Sequence, residues 1–144
     1  MTIHSARFVA CFSGTPFASN IHMTQARQEF GLYGEDLACE ELERLGYAIV
    51  TRRYRTRHGE IDIISRDGDY LVFVEVKARQ DGSFGDPEEA VTLRKQQQMV
   101  WMATDYIARQ SIGEVACRFD VVSINAQTAP PAITVIKDAF RPGW

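Results

Sequence analysis

Residues 59–77 constrain the fold of this chain more than any other stretch. They read Gly59-Glu60-Ile61-Asp62-Ile63-Ile64-Ser65-Arg66-Asp67-Gly68-Asp69-Tyr70-Leu71-Val72-Phe73-Val74-Glu75-Val76-Lys77. Two alternating, β-branched runs flank Asp67-Gly68, which is the strongest short-range hairpin signal. With Asp67 and Gly68 as the turn pair, Arg66 is expected opposite Asp69, Asp62 opposite Phe73, and Glu60 opposite Glu75. Residues directly opposite share a face, as do residues two apart on one strand. Glu60, Asp62, Glu75 and Lys77 therefore belong to one face. Ile61, Ile63, Val72, Val74 and Val76 belong to the other.

Three carboxylates at one end of an apolar ribbon are costly. Like charges at this range raise one another's pKa, and partial burial adds a desolvation cost. Lys77 offsets one charge, and a divalent cation would offset the rest. A hard, oxygen-only donor set suits Mg²⁺ or Mn²⁺ rather than zinc.

The remaining composition bounds the answer. A chain of 144 residues, 45% of them hydrophobic, is expected to fold as one domain with a proper core. A net charge of −3 exerts no global pull on nucleic acid, so any such binding must come from a local basic patch. Cys11, Cys39 and Cys117 have no CxxC spacing, and His4, His22 and His58 are scattered. The expectation is a reduced, cytoplasmic protein without structural zinc. No apolar run approaches the roughly 18 residues a membrane helix needs.

Along the chain, residues 1–22 show neither period nor motif and are expected to be a poorly ordered extension. A single domain is expected over 23–144, with Met23 a candidate start. A first helix is expected over 25–45, with Phe30, Tyr33, Leu37, Ala38, Leu42 and Leu45 on its apolar face and Gly46 as its stop. Gly31 and Gly34 weaken that helix, which implies a close neighbour there. Glu35, beside the apolar stripe, reads on spacing alone as a solvated helix glutamate. A strand is expected over 47–54. Arg52, Arg53, Arg55, Arg57 and His58 then make a basic run with Tyr54 among them, either a phosphate-contacting surface or a solvated loop. After a loop, Asp86-Pro87-Glu88-Glu89 is expected to open a second helix running to about Arg109. Ala90, Val91, Val100, Ala103 and Ile107 would form its inner face. Arg94 and Gln96 to Gln98 would be exposed. Strands are expected at 118–124 and 133–136, and Arg118 and Asp120 share a face as a candidate structural pair.

Asp62 and Glu75, twelve residues between them, and then Lys77 spell D-x12-E-x-K across a hairpin. Carboxylates on adjacent strands can hold Mg²⁺, and the lysine can act on a water or on a phosphate beside it. This pattern resembles the PD-(D/E)XK nuclease superfamily, with Gly59-Glu60-Ile61-Asp62 and Val74-Glu75-Val76-Lys77 close to the archaeal Holliday-junction resolvase version. Ile61 stands where the superfamily name has proline. Gly34-Glu35, Ala38, Gly59-Glu60-Ile61-Asp62, Phe73-Val74-Glu75-Val76-Lys77, Phe84-Gly85 and Arg118-Phe119-Asp120-Val121-Val122 together resemble the bacterial YraN-like family of uncharacterised proteins, over roughly residues 28–140.

The resemblance implies an α/β, restriction-endonuclease-like fold, a central mixed sheet of about five strands flanked by helices. It implies Glu35, Asp62 and Glu75 as metal ligands, with the backbone carbonyl of Val76 as a further ligand. Lys77 is the implied catalytic lysine, acting with Glu35, Asp62 and Glu75. Lys95 would face phosphate, joining Arg53, Arg55 and Arg57 of the basic run. Glu60 is read as a strand-end acid, solvated or paired with Arg57 or Arg79. The expected function is a Mg²⁺- or Mn²⁺-dependent endonuclease acting on DNA, on branched or single-stranded substrates. The alternative is a nucleic-acid- or partner-binding module that retains the fold without efficient catalysis. A homodimer follows by analogy with resolvase-like relatives.

Overall fold

The computed structural model describes residues 17–80 and 91–142, with side chains from residue 25 onward. In chain order it contains α1 (Phe17–Arg44), β1 (Ala48–Thr56), β2 (Gly59–Asp67), β3 (Tyr70–Arg79), α2 (Leu93–Arg109), β4 (Cys117–Asn125) and β5 (Ala132–Ile136). The order helix, three strands, helix, two strands is the expected one. The strands form a single sheet ordered β1-β2-β3-β4-β5. β3 and β4 run parallel and every other pair is antiparallel. The segment containing α2 supplies the crossover that a parallel pair requires. A mixed five-stranded sheet flanked by two helices is the restriction-endonuclease-like arrangement.

Each face of the sheet buries one helix. Val72, Val74, Val122 and Ile124 pack against Ala38, Cys39 and Leu42 of α1. Leu71, Phe73, Phe119 and Val121 pack against Met99, Met102, Ala103 and Tyr106 of α2. The alternation along β3 and β4 thus divides their side chains between two cores, as period-2 geometry demands. No helix among the described residues is long and apolar enough to cross a membrane.

Several expectations need correction. The β2–β3 hairpin pairs Asp67 with Tyr70, Ser65 with Val72 and Ile63 with Val74, so Gly68 and Asp69 are the turn pair. Asp62 is therefore not opposite Phe73, nor Glu60 opposite Glu75. The slip is two residues, and an even slip by itself does not exchange the faces of the strands. Gly68, with a φ of 59°, takes the first central position of the turn, a place that two-residue hairpin turns give to glycine. Arg118 braces the closing pair: its Nη2 donates to Asp67 Oδ2 at 2.7 Å and its guanidinium lies over the Tyr70 ring at 5.3 Å. Ile61 also departs from its expected face: it joins the α2 core, whereas Ile63 joins the α1 core. Their partners on β1 are Tyr54 and Arg52. Between those partners Arg53 has a φ of 53°, a left-handed conformation that turns the ribbon there.

Helix limits and faces shift as well. α1 begins at Phe17, so the expected extension over 1–22 is helical from that residue, and residues 1–16 lie outside the described residues. Cys39 is buried in α1, while Tyr33 and Leu45 of the expected stripe are exposed. The expected helix start at Asp86 to Glu89 lies outside the described residues. The described helix starts at Leu93, and the Thr92 hydroxyl caps it by accepting the Lys95 N–H at 3.2 Å. Its buried residues are Met99, Met102, Ala103 and Tyr106, with Val100 and Ile107 only partly covered.

Gly34 is where α1 approaches the sheet. A Cβ there would stand 2.8 Å from Ala78 Cβ on β3, an atom that cannot retreat without its strand. At Gly31, where a close neighbour was also expected, a Cβ would meet nothing within 4 Å. Two effects compete at Gly34. Alanine gains about 1 kcal/mol of helix propensity and loses about 1–3 kcal/mol to overpacking. We expect Gly34→Ala to destabilise the fold and Gly31→Ala to stabilise it, measured by urea unfolding of both variants. Equal stabilisation of the two would disprove the close approach.

Candidate active site

The site lies at the open end of the β2–β3 hairpin. The paired ladder ends at Ile63 and Val74. Beyond it the Asp62 carboxylate replaces a backbone partner, and Oδ2 accepts the Val76 N–H at 2.8 Å. Glu35 comes from α1, one residue after the glycine that lets the helix approach β3. It is 8% exposed, so the bland reading of a solvated glutamate is overturned. Glu35, Glu60 and Asp62 each offer an oxygen within 4.8 Å of the others.

Glu75 stands beside this group, close enough that its charge acts on Asp62 more strongly than that of Glu35. Glu75 is 6% exposed and faces two lysines. Lys77 Nζ is 3.4 Å from its Oε1, and Lys95 Nζ of α2 is 3.4 Å from its Oε2. Glu35 accepts from Arg53 Nε at 2.7 Å, and Glu60 is paired with Arg55. Carboxylates Glu35, Glu60, Asp62 and Glu75 are thus interleaved with cations Arg53, Arg55, Lys77 and Lys95. The left-handed backbone at Arg53 is a strained conformation of the kind retained where it positions a functional group. Here it accompanies the Arg53–Glu35 pair.

Sequence reasoning placed Glu35, Asp62, Glu75, Lys77 and Lys95 together, and the structure brings these residues into one neighbourhood. Val76 enters through its N–H to Asp62. Arg53 and Arg55 serve as partners of the acids. Arg57 lies apart, its Nε donating to His58 Nε2 at 3.2 Å. Glu60 was set at the margin, with Arg57 or Arg79 as its partner. It belongs to the acid cluster, and its partner is Arg55, the residue directly opposite on β1. Reading Arg57-His58 as a hairpin turn would have shown this pairing. Gln98, expected on an exposed face, donates from Nε2 to the His58 carbonyl at 2.5 Å and ties α2 to the β1–β2 turn. Gly59, with φ of 141°, leaves the space that Gln98 occupies.

Burial, then the charge of Glu75, pushes the Asp62 carboxyl from its ordinary 3.8 up to about 7, against the lowering effect of the Val76 N–H. Among the described residues Glu75 Oε2 is buried without a hydrogen bond, although the Lys95 ammonium stands 3.4 Å away. An under-satisfied buried oxygen, a carboxylate held reluctantly charged and three converging oxygen donors all fit a hard divalent cation. The raised folded-state pKa also fixes a sign. Its contribution to stability is fully present below about pH 4 and is lost as pH rises through about 7. Asp62→Asn keeps an acceptor for the Val76 N–H and removes that loss. We expect it to stabilise the metal-free protein at pH 8 by about 1–3 kcal/mol and to change little at pH 4. Thermal melts in EDTA at both values check this, and no gain at pH 8 would contradict it.

Residues 34–124 match the uncharacterised protein family UPF0102. The chain belongs to that family. This is the YraN-like family of the sequence resemblance, and the nuclease superfamily placement is consistent with it. UPF0102 relatives cover most of the chain. A protein of Geobacter metallireducens is 44% identical over 83% of this chain and 98% of its own length. One from Dehalococcoides mccartyi is 39% identical over 82% of this chain and 98% of its own. One from Geobacter sulfurreducens is 46% identical over 77% of this chain and 88% of its own.

Proposed function

We propose that this UPF0102 protein is a metal-dependent endonuclease that hydrolyses DNA phosphodiesters, on branched recombination or repair intermediates, in the cytoplasm. The observation that carries the reading is the convergence of Glu35, Glu60, Asp62 and Glu75 with Lys77 and Lys95 at the open end of the hairpin. Asp62 and Glu75, with Glu35, Glu60 and the Val76 carbonyl, would hold Mg²⁺ or Mn²⁺. Such an ion would supply Lewis-acid polarisation of a phosphoryl oxygen and a water that is nucleophilic near neutral pH.

The chain's own residues supply the rest. The Lys77 ammonium, held by Glu75 Oε1, can orient the attacking water or stabilise charge building on the phosphate. Lys95 approaches Glu75 from the α2 side and faces the same phosphate. Arg53 holds Glu35 in place. Arg57, 3.2 Å from His58 and exposed, meets the neighbouring backbone phosphate. The test is cleavage of a panel of branched, flapped and single-stranded DNA with Mg²⁺ or Mn²⁺, by the full chain and by Asp62→Ala. Cleavage by the first alone supports the reading. No cleavage of any substrate by either defeats it.

A second reading is a binding module on the same fold. The pairing of Glu35 with Arg53 and of Glu60 with Arg55 favours it, because those acids are already neutralised. A gel shift that survives EDTA and Lys77→Ala, with no cleavage, is its signature.

A further inference from the structure

Trp101 is 59% exposed on α2, yet it is not isolated. The His58 ring lies against it, with centroids 4.0 Å apart and planes at 32°. His58 is held there from behind: Gln98 donates to its carbonyl, and Gly59 leaves room for Gln98. The two rings wall a cleft of about 450 Å³ whose other lining includes Thr92, Arg94 and Lys95. Lys95 links this cleft to the acid cluster, since its ammonium is 3.4 Å from Glu75 Oε2. Arg57 contributes a further cation beside His58.

An exposed aromatic pair set among cations, one of which also reaches the reactive centre, matches the chemistry of an unpaired nucleotide. Every base offers a π-face to an aromatic ring, and its phosphate is drawn to the cations. A paired, stacked base has no free face to offer. A protein partner is the other occupant an exposed tryptophan could have, but the cores of protein interfaces are depleted in lysine, and this cleft is floored by one. We infer that Trp101 and His58 form a stacking subsite for one unpaired base beside the acid cluster, so that the substrate is DNA with a single-stranded segment next to the scissile bond. This deepens the endonuclease reading and rests on it.

The test is fluorescence anisotropy with a labelled oligothymidylate and a matched duplex, with Ca²⁺ in place of Mg²⁺, using the full chain and its Trp101→Ala, Trp101→Phe and His58→Ala variants. Because the Trp101 ring is mostly exposed, circular dichroism should show native folding for each. With one base–aromatic stack lost, Trp101→Ala is expected to weaken single-strand binding about 10-fold. Trp101→Phe should keep most of the affinity, and duplex binding should not change. A 2-aminopurine base in the single strand should be quenched by the wild type and less so by Trp101→Ala. If the wild type binds the single strand and Trp101→Ala binds it equally well, the stacking subsite is overturned while the nuclease reading stands. The same holds if Trp101→Ala only converts a dimer to a monomer. If the wild type binds neither strand nor duplex and cleaves nothing, the nuclease reading itself falls, and the subsite with it.

Discussion

Lys77→Ala is expected to lower the rate of DNA cleavage by about 10²–10⁴-fold, the range for removing a positioned proton-transfer or charge-stabilising group, while the protein remains folded. The two halves of this result have separate causes. The Lys77 side chain is 33% exposed and its ammonium is 3.4 Å from Glu75 Oε1; with Lys77 gone, the Lys95 ammonium still faces the buried Glu75 carboxylate at 3.4 Å, so the acid keeps a cation. The catalytic value of Lys77 on the proposed reading is larger, because it is the cation two residues from Glu75 on the same face of β3. Lys77→Arg keeps the charge but not the compact ammonium, so it should recover only part of the rate. Initial rates with Mn²⁺ on the best substrate of the panel, beside a thermal melt, separate the two halves. An unchanged rate would remove Lys77 from the chemistry.

Arg118→Ala is expected to destabilise the fold by about 3–5 kcal/mol, the usual cost of leaving a buried charge without its partner. Asp120 is fully buried. It accepts from Arg118 Nε at 2.8 Å, Arg118 Nη2 at 2.9 Å, the Tyr47 hydroxyl at 2.8 Å and the Asp138 N–H at 3.0 Å. Arg118 also donates to Tyr47 and to Asp67. Removing it strips the cation from Asp120 and releases the hairpin turn through Asp67 and Tyr70. This network sits at the closed end of the β2–β3 hairpin, and the acid cluster sits at the open end. Below its lowered melting temperature the variant should therefore cleave at close to the wild-type rate. Urea unfolding with a parallel cleavage assay checks both parts. A loss below about 1 kcal/mol would show that the fold does not depend on the Arg118–Asp120 pair.

The contrast between the two ends explains what could be read from the sequence. The hairpin, the faces of β3 and the element order followed from local alternation and turn residues, which depend on neighbours along the chain; the face of Ile61 did not. The exact pairing did not, because Asp67-Gly68 and Gly68-Asp69 are both acceptable turn pairs. Arg118, a residue of β4, contacts both members of the observed closing pair, Asp67 and Tyr70. Glu35, read from spacing as solvated and from family resemblance as a site residue, is buried only because Gly34 admits Ala78, a contact between distant segments. Glu60 was misplaced because its partner depends on the β1–β2 register. His58 closed the basic run, but Trp101 belonged to no motif and nothing in the sequence joined the two. They meet because Gln98 and Gly59 bring a helix and a turn together, and no periodic signal encodes that meeting.

The central claim is that the open end of the hairpin holds a divalent cation. Crystals soaked in Mn²⁺ test it most directly, through the anomalous difference map. The expected peak is coordinated by Asp62 together with Glu75 or Glu35 and is absent in Asp62→Ala. A map with no peak at these carboxylates, or the same peak in Asp62→Ala, would contradict it.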